Sequence, residues 1–145
     1  MNVKRFIAAS LAVFLVSQAL SYLIHGVILT AAYEATKSIW RQDMQSKMWI
    51  ESVNGLITAF LFTYIFIKGY EGKGIMEGVR FGLIVGLFVS IPMAYGTYVI
   101  IPIPYYLALE WFLYGTAVVI LMGITAALIY KPEPTSVPGK RTATA

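Results

Sequence analysis

Four long apolar stretches, separated by short polar segments, dominate the hydropathy pattern of this 145-residue chain. The stretches run over about residues 6–32, 50–68, 81–101 and 107–130. A helix needs roughly 20 apolar residues to cross the hydrocarbon core of a bilayer. The pattern therefore predicts an all-α fold, a four-transmembrane-helix bundle over residues 1–131, followed by a polar, Pro- and Thr-rich tail over residues 132–145.

The first stretch also has features of a secretory signal. Lys4 and Arg5 precede an apolar run that contains a small-x-small sequence at Ser17–Ala19. However, the apolar run continues well beyond Ala19, so we expect an uncleaved first span.

A polar segment from Tyr33 to Met48 follows the first span. Its apolar residues recur at helical spacing, with charged residues between them, as in an amphipathic helix that lies on the membrane surface. The alternative is that the first transmembrane helix simply extends into water. The pattern does not decide between the two.

The third stretch carries an unusual glycine pattern. Gly74, Gly78, Gly82 and Gly86 are spaced four residues apart, so they would share one face of a helix. In lipid, such a face lets a second helix approach closely, either in a dimer or within the chain. We favour packing within the chain, against the first or fourth helix, with the third helix at the centre. Pro92 should kink that helix, because it cannot donate a hydrogen bond to the carbonyl of Phe88.

Composition narrows the class of protein further. Hydrophobic residues make up 59% of the chain and charged residues 12%, about half the charged share of a soluble domain. The chain has no cysteine, which excludes disulfides, thiolate metal sites and iron–sulfur clusters. A single histidine excludes bis-histidine haem ligation, and the chain contains no phosphate-binding loop and no HExxH sequence. We therefore expect neither an enzyme nor a cofactor, and the scattered basic residues lack any nucleic-acid-binding signature.

The distribution of lysine and arginine predicts the topology. The N-terminus, the second connection and the tail hold eight of the 11 basic residues, whereas the first connection holds three. By the positive-inside rule, both termini are cytoplasmic, in a multi-pass protein of the cytoplasmic (inner) membrane. Tryptophans often anchor helices at the membrane interface, and we assign that role to Trp40, Trp49 and Trp111.

Polar residues within the spans form the candidate ion or polar site. His25, Glu51 and Glu110 would all lie near the extracytoplasmic boundary, with Asn54 and Tyr114 one turn from the two glutamates. One imidazole and two carboxylates in a small chamber would suit a divalent cation or a proton relay. Alternatively, each glutamate lies in the headgroup layer at a helix N-terminus, where the helix dipole favours negative charge, and His25 is an interfacial residue. Spacing along the sequence does not show that residues of three different helices meet. We therefore favour this second interpretation.

The overall layout resembles a known type of protein. His25 precedes a loop with Tyr and Trp, glycines open the third span, and Gly123–Ala127 lies near the end of the fourth. This arrangement resembles uncharacterised small bacterial four-helix integral membrane proteins, a family of unknown function. The resemblance supports the architecture and implies no activity.

The functional expectation is a non-catalytic accessory or assembly subunit of a larger membrane complex, with the bilayer and other membrane subunits or self-association as partners. The alternative is a small transporter or channel for a cation or solute that uses His25, Glu51 and Glu110. A weaker third possibility is binding of a lipid or quinone beside Tyr95, Tyr98 and Tyr114.

Overall fold

The computed structural model describes residues 2–131, in which all regular structure is helical. Four segments are long and apolar enough to cross a membrane, which confirms the all-α, four-span prediction. The tail over residues 132–145 lies outside the described residues. The α-helices are α1 (Val3–Leu23), α2 (Thr30–Ala35), α3 (Met48–Lys68), α4 (Ile75–Ile100) and α5 (Tyr105–Ile129).

The first connection is built differently from either sequence interpretation. α1 continues as one π-helical turn over Ile24–Ile28, in which the N–H of Leu29 donates to the carbonyl of Ile24 at 2.8 Å. At Leu29 the backbone leaves the helical path (φ −90°, ψ 6°), and α2 is a separate short helix. Neither a continuous amphipathic helix nor an extension of α1 covers Tyr33–Met48, because beyond α2 the chain forms short 3₁₀ turns.

α4 begins six residues earlier than the apolar pattern predicts, because Glu77 organises the loop before it. The Glu77 side chain is only 6% exposed. Its two oxygens accept the backbone N–H groups of Glu71 at 2.5 Å and Lys73 at 2.8 Å. Gly74 forms the N-cap with a φ of 74°, a left-handed conformation that glycine adopts without strain.

α5, and not the third spanning helix, occupies the centre of the bundle. It packs along α4 and α1 and more briefly against α3, while α1 also packs against α3. Within the described residues, α3 and α4 share no extended interface. They meet at Phe81, whose ring centroid lies 4.9 Å from that of Phe62 and 5.3 Å from that of Phe66.

The contact between α4 and α5 brings their backbones close together at three glycines of the third span. A Cβ atom at Gly78 would lie 2.3 Å from the carbonyl oxygen of Gly123, and one at Gly82 would lie 2.6 Å from Cα of Ile120. A Cβ atom at Gly86 would lie 3.2 Å from the carbonyl oxygen of Thr116.

Gly74 differs from the other glycines of the stripe. It lies before α4, and a Cβ atom there would have no neighbour within 4 Å, so its assignment as a packing residue was wrong. Pro92 lies inside α4, which continues to Ile100, and a kink there stays a prediction.

Candidate functional site

The chain after the π turn folds back onto the first turns of α5. Ile24 and Leu29 form a buried apolar cluster with Leu107 and Ala108 of α5. Tyr33, Trp40, Trp111 and Tyr114 pack around this cluster and are half-buried. This packing positions the polar groups at one end of the bundle.

Tyr33 is the hub of these polar groups. Its phenol oxygen lies 2.6 Å from Nδ1 of His25 and accepts a hydrogen bond from Nε1 of Trp111 at 2.8 Å. The ring of Trp40 packs beside both Tyr33 and Trp111, with its centroid 5.9 Å from that of Tyr33 and 6.1 Å from that of Trp111. The indole N–H groups of Trp40 and Trp111 are both used inside the protein, since that of Trp40 donates to Thr36 at 2.9 Å.

Of the three tryptophans assigned as interface anchors, Trp49 has the most exposed environment. Its side chain is 65% exposed at the start of α3, which suits a ring at the membrane surface. Trp40 and Trp111 are half-buried parts of the cluster around Tyr33.

The hydrogen-bonding capacity of Tyr33 restricts what His25 can do. A phenol has one proton and two lone pairs, and the N–H of Trp111 occupies one lone pair. When Nδ1 of His25 carries no proton, Tyr33 donates to it. When Nδ1 carries a proton, His25 donates to Tyr33, and the proton of Tyr33 must find another acceptor.

Glu110 is a nearby carboxylate with one unpaired oxygen among the described residues. Its Oε2 atom is buried and has no hydrogen-bond partner within the described residues. Burial raises the pKa of the Tyr33 phenol, the hydrogen bond from Trp111 opposes this shift, and the negative charge of Glu110 adds to it. Glu110 therefore acts on Tyr33 electrostatically, and the phenol is neutral at physiological pH.

The two glutamates have different environments. Glu51 is exposed in the first turn of α3, the position expected of a carboxylate that interacts with the helix dipole. It also acts electrostatically on His25, which is exposed in the π turn. Glu110 lies in the second turn of α5 and is half-buried.

The structure therefore brings His25 into direct contact with Tyr33, whereas Glu51 and Glu110 act on these two residues only through their charge. Among residues 2–131, no group of three His, Asp or Glu side chains has an arrangement that could hold a metal ion. Sequence reasoning missed Tyr33, because the π turn that brings it back to His25 has no clear sequence signal.

Asn54 and Tyr114 make no hydrogen bond or ring contact with His25 or Tyr33 in the part of the chain that the structure describes. Tyr114 is half-buried in the apolar cluster beneath Trp111. Asn54 lies with Glu51 and Thr58 on a face of α3 that is exposed, whereas Ala59 and Phe66 of the same helix are buried.

The tyrosines proposed to flank a lipid or quinone also separate. Tyr95 and Tyr98 both pack against Tyr105, with ring centroids at 6.3 Å and 5.9 Å. Tyr114 packs instead in the cluster around Leu107.

Comparisons of the chain with protein-family models, with curated proteins and with solved structures find no match. The resemblance to small bacterial four-helix membrane proteins stays a prediction.

Proposed function

We propose that this protein is a non-catalytic subunit of a larger membrane complex, and that it docks onto its partner through the polar face of α3. We define this face by Glu51, Asn54 and Thr58. The observation that supports the proposal most strongly is the exposure of Asn54, whose carboxamide has no partner among the described residues.

The depth of Asn54 makes its exposure costly in lipid. It lies five residues beyond Trp49, which corresponds to about 7.5 Å along the helix axis at 1.5 Å per residue. If Trp49 lies at the interface, Asn54 lies within the hydrocarbon. A carboxamide there needs a hydrogen-bond partner, and polar groups of a neighbouring transmembrane helix would supply one.

The glycine stripe is less suited to such a partner. The faces of Gly78, Gly82 and Gly86 are already in contact with α5, so we infer that these glycines act in packing within the chain. The polar face of α3 is then the stronger candidate for contact with another subunit.

We further propose that both termini are cytoplasmic, in the inner membrane of a bacterium. The end of the bundle that carries the start of α1, the second connection and the end of α5 holds six described basic residues, namely Lys4, Arg5, Lys68, Lys73, Arg80 and Lys131. Its acidic residues are Glu71 and Glu77, and the uneven charge supports this orientation.

The test is extraction of the full chain from native membranes in a mild detergent, followed by native mass spectrometry. We expect larger subunits to copurify stoichiometrically with the wild type, and Asn54→Leu to weaken that association. Phe88→Leu is the matched control, because Phe88 is 79% exposed on another spanning helix. A wild-type chain that is recovered only as a monomer or homo-oligomer would overturn the proposal. Equal retention of the partner by both variants would reject the polar face of α3 as the contact.

A second candidate function, proton-linked transport, is favoured by one observation. Glu110 has a buried oxygen without a partner close to the contact between Tyr33 and His25. These three residues could pass a proton between an imidazole, a phenol and a carboxylate.

Purified protein in liposomes, with a pH-sensitive dye inside, tests this second function. When acid is added outside the liposomes, the dye should report acidification of the lumen. This acidification should be lost in Glu110→Gln and kept in Glu34→Gln, which changes an exposed glutamate. Acidification that is equal in both variants, or absent from the wild type, would reject the transport function.

A further inference from the structure

We propose that Lys4, Arg5 and Lys68 form a binding site for the phosphate group of an anionic phospholipid, where the start of α1 meets the end of α3. This inference is independent of the docking face proposed for α3, because it concerns the opposite end of that helix.

Aromatic contacts bring the two helix ends together. The ring of Phe6, next to Arg5, lies 5.7 Å from that of Phe60 and 6.5 Å from that of Tyr64. Nζ of Lys68 lies 5.3 Å from the centroid of the Tyr64 ring. Tyr64 is therefore in contact with both helix ends that carry the cations.

Residues 2–131 provide no carboxylate partner for these cations. Among the described residues, Lys4, Arg5 and Lys68 make no ion pair within 4.0 Å. The basic residues at the opposite end of the bundle, by contrast, are all paired: Lys37 with Glu34, and Arg41 and Lys47 with Asp43.

The two carboxylates that the structure describes at the basic end, those of Glu71 and Glu77, already have partners. Glu71 pairs with Lys73, which lowers the pKa of the Glu71 carboxyl, and lies 3.7 Å from Arg80. Glu77 accepts two backbone N–H groups. Neither glutamate is therefore available to neutralise Lys4, Arg5 or Lys68.

The surroundings of these cations favour a lipid over a free anion. Each lies at an end of a membrane-spanning helix, and the surface beside them is apolar, since Val3 is 57% exposed and Ile7 is 43% exposed. A phospholipid can place its phosphate against the cations and its acyl chains along this surface. The Arg5 guanidinium can bind two phosphate oxygens at once, and each basic residue near an anionic surface strengthens binding roughly fivefold.

The test is a native mass spectrometry titration of the purified full chain in a mild detergent, with phosphatidylglycerol or phosphatidylcholine. We compare the wild type with the triple variant Lys4→Gln/Arg5→Gln/Lys68→Gln. The matched control is Lys37→Gln/Arg41→Gln/Lys47→Gln, which removes the same charge from the opposite end. The wild type and the control should prefer phosphatidylglycerol, and the first triple variant should bind it on the order of 100-fold more weakly.

Three results would overturn the proposal: equal binding of the two lipids by the wild type, an equal loss in both triple variants, or full displacement of phosphatidylglycerol by millimolar inorganic phosphate. Because a triple variant can fail to fold, the single variants Arg5→Gln and Arg5→Lys are measured as well. Arg5→Gln should weaken binding roughly fivefold, and Arg5→Lys should restore most of it. Unchanged binding in Arg5→Gln would also contradict the proposal.

Discussion

Nδ1 of His25 lies 2.6 Å from the phenol oxygen of Tyr33, across the point where the first spanning helix ends. The two residues are eight positions apart, on either side of the backbone break at Leu29. This contact, together with the hydrogen bond from Trp111 to Tyr33, links the first connection to both α1 and α5. The first two predictions below test this polar link between the three elements.

The first prediction concerns loss of this hub. Tyr33→Phe should lower the free energy of unfolding by about 1–3 kcal/mol, because the N–H of Trp111 loses its acceptor and His25 loses its partner. Thermal unfolding in detergent measures the effect. Tyr106→Phe is the control, since Tyr106 is 47% exposed. Equal stability of the two variants would contradict the role of Tyr33 as a hub.

The second prediction concerns alkaline pH. Because burial raises the pKa of the Tyr33 phenol above its usual value of 10.0, the folded state holds this proton more tightly than the unfolded state. The resulting stability is fully present below pH 10 and is lost as pH rises through the folded-state pKa. A titration of melting temperature should show a steeper alkaline decline in the wild type than in Tyr33→Phe. Parallel curves would rule out a contribution from Tyr33.

The third prediction concerns the close approach of α4 to α5. Gly82→Ala should destabilise the bundle by about 1–3 kcal/mol, because its Cβ would lie 2.6 Å from a backbone atom of Ile120 and force the helices apart. Gly96→Ala is a matched control in the same helix, since a Cβ there has no neighbour within 4 Å. Thermal unfolding should separate the two variants, and a Gly82→Ala protein as stable as the control would be inconsistent with this packing.

The fourth prediction concerns the loop before α4. Glu77→Ala should release the amides of Glu71 and Lys73, because both donate to the Glu77 carboxylate. Hydrogen exchange at these two amides should accelerate at least tenfold, which corresponds to about 1.4 kcal/mol of lost protection. Glu34→Ala, which removes an exposed carboxylate, should leave them unchanged. Slow exchange in Glu77→Ala would show that other contacts hold the loop.

Hydropathy alone predicted the four spans, because the bilayer requires each crossing helix to present a long apolar surface whatever its neighbours are. The boundaries were less accurate wherever a polar side chain acts within the fold. Glu77 precedes the third apolar stretch in sequence, yet it lies in α4, is buried, and its carboxylate accepts the backbone N–H groups of the preceding loop.

The four-residue glycine spacing likewise predicted a helix face without side chains, but it did not identify the helix that packs against this face.

The prediction of the polar site depended even more on tertiary structure. His25, Glu51 and Glu110 were visible as costly residues in apolar spans, but Tyr33 was not, since nothing in its sequence position indicates a contact with His25 and Trp111. Hydrophobicity and helical periodicity are local properties of the chain and can be read along it. The neighbours of a side chain on other helices depend on how the backbone breaks, turns and packs, and here the π turn and the central position of α5 decided them.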